Sequence, residues 1–205
     1  MKKRKEELDI VFLLDRSGSM SGIELDTIGG YNSYLKEQKN NNVKITTVLF
    51  DHEYEILYNR KNISEVSKLT NKEYYVRGCT ALYDAIGRTI KTIEASDAKK
   101  VMFVITTDGY ENASKEYKKT QIKEMIESHK DLEFIYIGAE VDSYSEGRTI
   151  GIDSKNISNY KKDKKGVSKL FNSISKASDI LSKESFLDAS WKEDLENYIE
   201  KNHTN

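Results

Sequence analysis

The chain has 205 residues, a length that suits one domain with its own hydrophobic core. Its 33 basic and 34 acidic side chains give a formal net charge of −1, so no basic excess favours binding to nucleic acid. The mean hydropathy is −0.69, and no apolar run approaches the roughly 18 residues of a membrane span. The first residues lack the long apolar region of a signal peptide. We therefore expect a cytoplasmic protein, with no membrane or nucleic-acid partner.

Short apolar runs alternate with longer amphipathic stretches, as they do in proteins that alternate strands with helices. In chain order, the pattern predicts a strand over 8–14, a helix over 26–39, strands over 43–50 and 53–58, a helix over 80–95, a strand over 101–107, a helix over 114–130, a strand over 132–138, a helix near 142–150, an edge strand over 156–160, and helices over 166–183 and 185–201. This order favours an α/β fold with a mainly parallel sheet, one antiparallel edge strand from a hairpin, and helices on both faces.

The predicted elements also divide the chain. Residues 8–183 contain the alternating strands and helices, and we assign them to one domain. Residues 1–7 are predicted to be an N-terminal extension, and residues 184–205 a C-terminal helix packed on the domain. The single cysteine, Cys79, excludes an intramolecular disulfide, and the pattern favours a small packed residue there over a redox centre. The three histidines lie on separate elements without ligand spacing, which argues against a zinc site.

Acidic residues follow two of the predicted buried strands. Asp15 ends the run LDIVFLL, and Asp108 ends the run VMFVITT. Ligands of open α/β sheets bind at the carboxyl ends of strands. If these strands are neighbours, the two carboxylates lie close together and repel one another unless a proton or a cation lies between them. The sequence therefore predicts a cation site at this edge of the sheet.

Hydroxyl groups near these acids are suitable further ligands. Ser17 and Ser19 alternate with Asp15 along a tight turn that Gly18 permits, and Thr80 lies where the helix over 80–95 begins. The side chain of Thr80 also fits an N-cap of that helix. Carboxylate and hydroxyl oxygens suit hard cations such as Mg²⁺. Taken singly, such residues are more often ordinary turn residues and caps.

These residues together carry a family resemblance. The DxSxS motif at 15–19, the segment GCTALYDA at 78–85 and the TDG sequence at 107–109 occur in the order and places typical of a von Willebrand factor A (vWA) domain. The resemblance covers about residues 8–183. The chain resembles in particular the stand-alone intracellular members that have a metal-ion-dependent adhesion site (MIDAS). One departure is Cys79, where many members of the family have a glycine.

The resemblance implies a Rossmann-like, doubly wound fold and a specific ligand set. Ser17, Ser19 and Thr80 would provide hydroxyl ligands to Mg²⁺ or Mn²⁺, with Ca²⁺ as an alternative. Asp15 and Asp108 would bind the ion directly or through water. One coordination position would stay open for an Asp or Glu of a protein partner. We therefore expect a metal-dependent protein-binding module for complex assembly or regulation, and not an enzyme.

Two other functions are compatible with the same residues. A Mg²⁺-dependent hydrolase or phosphatase would act at the same strand-end site, but no Walker-type loop, nucleophile–base pair or GxSxG sequence around Ser17 supports it. A structural α/β module would hold no metal at all.

Glu111 is a candidate for a sixth ligand, because it lies close enough in sequence to Asp108 to occupy the open metal position. The lysine-rich segment 161–165 is predicted to be a solvated loop.

Overall fold

The computed structural model describes residues 7–139 and 142–203. The predicted N-terminal extension lies outside the described residues apart from Glu7. Six strands form one sheet: β1 (Leu8–Asp15), β2 (Val43–Phe50), β3 (Tyr54–Asn62), β4 (Val101–Thr107), β5 (Leu132–Gly138) and β6 (Ile157–Asn159). Their order is β3-β2-β1-β4-β5-β6; β3 is antiparallel to β2 and the other pairs are parallel. The predicted mainly parallel sheet with an antiparallel edge strand is confirmed.

Helices cover both faces of this sheet. They are α1 (Glu24–Gln38), α2 (Leu82–Glu94), α3 (Lys119–Ser128), α4 (Ser143–Thr149), α5 (Lys164–Leu181) and α6 (Glu193–His203). Side chains of α1, α5 and α6 share one hydrophobic cluster, and those of α2, α3 and α4 contact the other. The structure thus has the predicted doubly wound, Rossmann-like α/β architecture. No helix in the described part of the chain is long and apolar enough to cross a membrane.

The central strand β1 explains why its sequence is a continuous apolar run. Phe12 and Leu14 pack into the cluster on one face of the sheet, while Val11 and Leu13 pack into the cluster on the other. All four side chains are completely buried. A strand covered on both faces buries every residue, so alternation with polar residues is not expected. β1 is therefore a rigid base for the polar loop that follows it.

Helix α1 lies directly against α5, and a glycine allows this contact. An added Cβ atom at Gly30 would lie only 2.1 Å from the ring of Phe171, so the two helices approach where Gly30 has no side chain. Gly30 therefore permits close packing of the two helices. Farther along the chain, Trp191 and Leu195 are fully buried in the same hydrophobic cluster.

Two predicted helix starts are wrong by more than two residues. Helix α3 begins at Lys119 and not at residue 114, because the carboxylate of Asp84 accepts hydrogen bonds of 2.9 Å from the backbone amides of residues 115–117 and holds them outside the helix. The last helix begins at Glu193 and not at residue 185. Before it, Asp188 accepts a 2.9 Å hydrogen bond from the amide of Ser190 at the start of a 3₁₀ turn.

Candidate metal centre

The candidate site lies at the carboxyl ends of β1 and β4. These strands are adjacent and parallel, with Leu14 of β1 opposite Thr106 of β4. The chain proceeds from β1 to β2 on one side and later to β4 on the other, so the strand order reverses between β1 and β4. Ligands bind at such switch points in open α/β sheets. The fold thus brings Asp15 and Asp108 to the same edge of the sheet.

The carboxylate of Asp15 is completely buried and held from two directions. Its Oδ1 accepts a 2.7 Å hydrogen bond from the amide of Ser17, and its Oδ2 accepts a 2.6 Å hydrogen bond from the hydroxyl of Thr107. Burial raises the pKa of Asp15 to about 6, although these hydrogen bonds oppose the rise. A nearby cation would stabilise the ionised form, so this carboxylate is suited to bind one.

Three hydroxyl groups converge on the backbone of Gly109. A methyl group on Gly109 would lie 2.9 Å from Ser19 Oγ, 2.9 Å from Thr80 Oγ1 and 3.8 Å from Ser17 Oγ. The hydroxyl oxygens of Ser17 and Ser19 are 3.0 Å apart and share a hydrogen bond. The loop that carries them is fixed to the Thr80 loop by a 3.1 Å bond from the amide of Gly18 to the carbonyl of Gly78. The three sequence-predicted hydroxyl residues are therefore neighbours in space.

The carboxylate of Asp108 is buried, and its two oxygens lack hydrogen-bond donors within the described part of the chain. Neither Oδ1 nor Oδ2 accepts a hydrogen bond from the described residues. The ammonium of Lys162 lies 2.8 Å from Oδ2. The two groups form an ion pair at this distance, but their geometry is not that of a hydrogen bond. A buried carboxylate with unsatisfied oxygens needs a positive partner. Lys162 belongs to the segment predicted to be a solvated loop; that prediction is wrong for this residue, whose side chain is only 18% exposed.

The loop after β4 holds the start of α2. The amide of Thr80 donates a 2.9 Å hydrogen bond to Asn112 Oδ1, and the amide of Tyr83 donates one of 2.9 Å to Glu111 Oε2. Two expectations are therefore wrong. Glu111 does not reach the metal position, because its carboxylate satisfies orphan amides at the helix start. Thr80 is not the N-cap, which is Ala81. The hydroxyl of Thr80 instead lies among the other two.

Cys79 is exposed, so the expectation of a packed cysteine is wrong. It follows Gly78, whose φ of +67° belongs to the left-handed region that favours glycine. An added Cβ atom at Gly78 would lie 2.0 Å from Nδ1 of His52. Gly78 is therefore required by both its conformation and its close contact, whereas the cysteine beside it projects away from the packed interior.

A buried ion pair lies at the start of the loop that carries the candidate ligands, and sequence reasoning missed it. Arg16 is 1% exposed, and its Nε donates a 2.9 Å hydrogen bond to Oδ2 of the fully buried Asp51. Arg77 donates to the same oxygen at 2.9 Å, and Arg16 also pairs with Glu55 at 2.7 Å. Asp51, in the turn between β2 and β3, thus joins the loop after β1 to the loop before Thr80.

The donors fit a hard divalent cation. Two carboxylates and three hydroxyls provide oxygen ligands of the kind that Mg²⁺ and Mn²⁺ prefer. The unsatisfied oxygens of buried Asp108 are the observation that a cation would explain. Within residues 7–139 and 142–203, no group of three or more His, Cys, Asp or Glu side chains is placed to hold a metal ion. A cation at this edge of the sheet would therefore need the hydroxyl ligands as well as the two carboxylates, and that role of the five residues stays a prediction.

Comparisons with known proteins agree with this architecture. Residues 9–183 match the family model of the von Willebrand factor type A domain. Among solved structures, the chain resembles the PilB minor pilin of Streptococcus sanguinis, with 13% identity, a TM-score of 0.64, and coverage of 85% of this chain and 61% of that one. It also resembles the pilus adhesin SpaC of Lactobacillus rhamnosus GG, with 13% identity, a TM-score of 0.68, and coverage of 85% and 30%.

A third similar structure is described with a metal. It is proximal thread matrix protein 1 of the mussel byssus with a zinc-occupied MIDAS motif, which has 15% identity, a TM-score of 0.60, and coverage of 84% of this chain and 46% of that one. At these identities the likeness concerns the fold. The chain spans less than two thirds of each of these three proteins. A comparison with curated protein sequences gives no significant match.

Proposed function

Because the chain belongs to the von Willebrand factor type A domain family, we propose that it is a metal-dependent protein-binding module. Asp15, Ser17, Ser19, Thr80 and Asp108 hold a divalent cation, either directly or through water. The cation binds an Asp or Glu side chain of a protein partner. We propose that this binding serves complex assembly or regulation in the cytoplasm, as in the stand-alone intracellular members that the sequence resembles.

The observation that carries this proposal is the hydroxyl cluster around Gly109 beside two buried carboxylates. The Cβ position of Gly109 lies 2.9 Å from the hydroxyls of both Ser19 and Thr80, although the two come from loops far apart in the sequence. Asp15 ends β1, and Asp108 directly follows the end of the adjacent strand β4. The three hydroxyls are neutral and the two carboxylates contribute −2, so these five ligands by themselves balance a charge of +2.

This charge balance favours an acidic ligand. A cation that the protein merely neutralises still attracts a further carboxylate, and the attraction is stronger where water is excluded. Within the chain, Thr107 and the amide of Ser17 orient the Asp15 carboxylate, so the binding position is formed before the ion arrives. Tyr110, next to Gly109, is 53% exposed and lies where a partner can contact it.

The structural comparisons support a binding role. One similar protein is described with a zinc-occupied MIDAS motif, which shows that this fold can hold a divalent cation there. Others are a minor pilin and a pilus adhesin. For this chain we propose Mg²⁺ or Mn²⁺, with Ca²⁺ as an alternative, because its ligands are oxygens.

A selection from random displayed peptides tests this function. Peptides are bound to the immobilised protein in Mg²⁺ and eluted with EDTA. We expect the eluted peptides to share an Asp or Glu, and to bind the wild type only with metal. Asp15→Ala should abolish their binding. Asp131→Ala, which removes an exposed carboxylate just before β5, at the opposite edge of the sheet, is the matched control and should not. Peptides that bind equally well in EDTA or to Asp15→Ala would contradict the proposal.

A further inference from the structure

We propose that Lys162 is a built-in competitor of the divalent cation. Its ammonium forms an ion pair with the Asp108 carboxylate that the divalent cation needs as a ligand. This pairing weakens metal binding by the free protein. This inference rests on the proposed metal site and adds a residue that regulates it. Lys162 lies in the segment between β6 and α5, far in the sequence from the other site residues.

The contacts of Lys162 place its charge inside the site. Its Nζ lies 2.8 Å from Oδ2 of Asp108 and donates a hydrogen bond to the backbone carbonyl of Ser19. The Asp108 side chain is 1% exposed and that of Lys162 is 18% exposed, so water screens this pair only weakly. Among the described residues, Lys162 is the one cation within 4.0 Å of Asp108.

The segment that carries Lys162 is itself anchored at both ends. The amide of Tyr160 donates a 2.9 Å hydrogen bond to the carbonyl of Gly138, at the end of β5. On the other side, Asp163 caps α5 by accepting a 2.7 Å hydrogen bond from the amide of Gly166. The backbone on either side of Lys162 is therefore already fixed, and only the rotamer freedom of its side chain is lost when the ammonium reaches Asp108. The ion pair is therefore favoured by the backbone as well as by charge.

A charge count shows the consequence for the metal. Asp15 and Asp108 contribute −2 and Lys162 contributes +1, so an incoming ion meets a net charge of −1. The ion must either displace the ammonium from Asp108 or bind beside a like charge, and both lower its affinity. If the ammonium stays nearby, the loaded site has a net charge of +1. A carboxylate from a partner then neutralises it, so the partner strengthens retention of the metal.

Titration calorimetry with Mn²⁺ on the full, chelator-stripped chain tests this inference. Lys162→Met keeps the length of the side chain without its charge, and we expect it to lower the dissociation constant about tenfold. This is the change expected when the fraction of molecules whose Asp108 carboxylate is free to bind metal rises from about one tenth to one. Lys162→Arg should stay close to the wild type. Lys164→Met removes the same charge from an exposed position two residues later and is the matched control; its affinity should be unchanged.

A melt in EDTA gives a second readout. Lys162→Met should melt below the wild type, because Asp108 loses its positive partner, and metal should raise its melting temperature more than that of the wild type. Metal affinity in Lys162→Met that is equal to or weaker than in the wild type would overturn the role of Lys162 and leave the metal site standing. Absence of binding in both proteins would instead overturn the proposed function, and this inference with it.

Discussion

The hydroxyl of Thr107, at the end of β4, donates a 2.6 Å hydrogen bond to Oδ2 of Asp15, at the end of the neighbouring strand β1. Both residues are completely buried. The bond leaves the carboxylate with one fixed orientation, since Oδ1 already accepts the amide of Ser17. Thr107 is thus a positioning residue for the proposed metal ligand.

Replacing Thr107 with valine should weaken metal binding. Loss of a group that orients a ligand typically costs about 10-fold to 100-fold in metal affinity, and we expect the lower end because the Ser17 amide remains. Thr107→Ser keeps the hydroxyl and should stay within a few-fold of the wild type. Titration calorimetry with Mn²⁺ measures both variants. Wild-type affinity in Thr107→Val would show that Asp15 does not need this bond.

A methyl group at Gly109 should block the site without unfolding the protein. In Gly109→Ala the new carbon would lie 2.9 Å from the hydroxyls of Ser19 and Thr80, closer than van der Waals contact allows. We expect loss of metal binding with an almost unchanged circular dichroism spectrum. Gly29→Ala is the control, because an added carbon there meets nothing within 4 Å. Full metal binding by Gly109→Ala would disprove the proposed convergence of hydroxyls.

The buried pair of Arg16 and Asp51 should matter for stability. Removal of one partner of a buried pair leaves the other charge uncompensated and typically costs about 3–5 kcal/mol. We expect Asp51→Asn to lower the free energy of unfolding by about this amount in urea denaturation. Arg88→Ala breaks an exposed ion pair with Glu116 and should have little effect. Equal stability of Asp51→Asn and the wild type would contradict this role.

The pH dependence follows from the raised pKa of Asp15. Burial raises it from 3.8 to about 6 in the folded protein. Protonation therefore favours folding: the contribution of this group is fully present below pH 3.8 and is lost as the pH rises through about 6. Metal requires the ionised carboxylate, so its effect has the opposite sign. The dissociation constant of Mn²⁺ should be constant above pH 7 and should rise about tenfold per unit well below pH 6. A constant value between pH 8 and pH 5 would argue against Asp15 as a ligand.

The sheet, and the site residues that lie close together in the sequence, could be predicted because they depend on short-range sequence patterns. Continuous apolar runs identified β1 and β4, and the acids directly after them had to meet once the strands were neighbours. The spacing of Ser17 and Ser19 is likewise local. The fold class and the edge hairpin are confirmed; the role of these residues as metal ligands stays a prediction.

The residues that sequence reasoning missed act over long distances along the chain. Lys162 and Asp108 lie 54 positions apart and meet only because the segment after β6 crosses the same edge of the sheet. A lysine run predicts a solvated surface by composition alone. Asp51 lies in the turn between β2 and β3, and only the fold shows that it pairs with Arg16. In α3, Asp84 from another helix overrides the local helical pattern.

A thermal melt with EDTA, Mg²⁺ or Mn²⁺, on the wild type and on Asp15→Ala, tests the metal site most directly. An ion at about 100 times its dissociation constant adds about 2.7 kcal/mol to the free energy of unfolding. For a chain of this length, that raises the melting temperature by roughly 5–11 °C. We predict this rise in the wild type and no rise in Asp15→Ala. An equal rise in both proteins, or none in the wild type up to about 10 mM metal, well above the dissociation constant of a functional site, would contradict the proposed site.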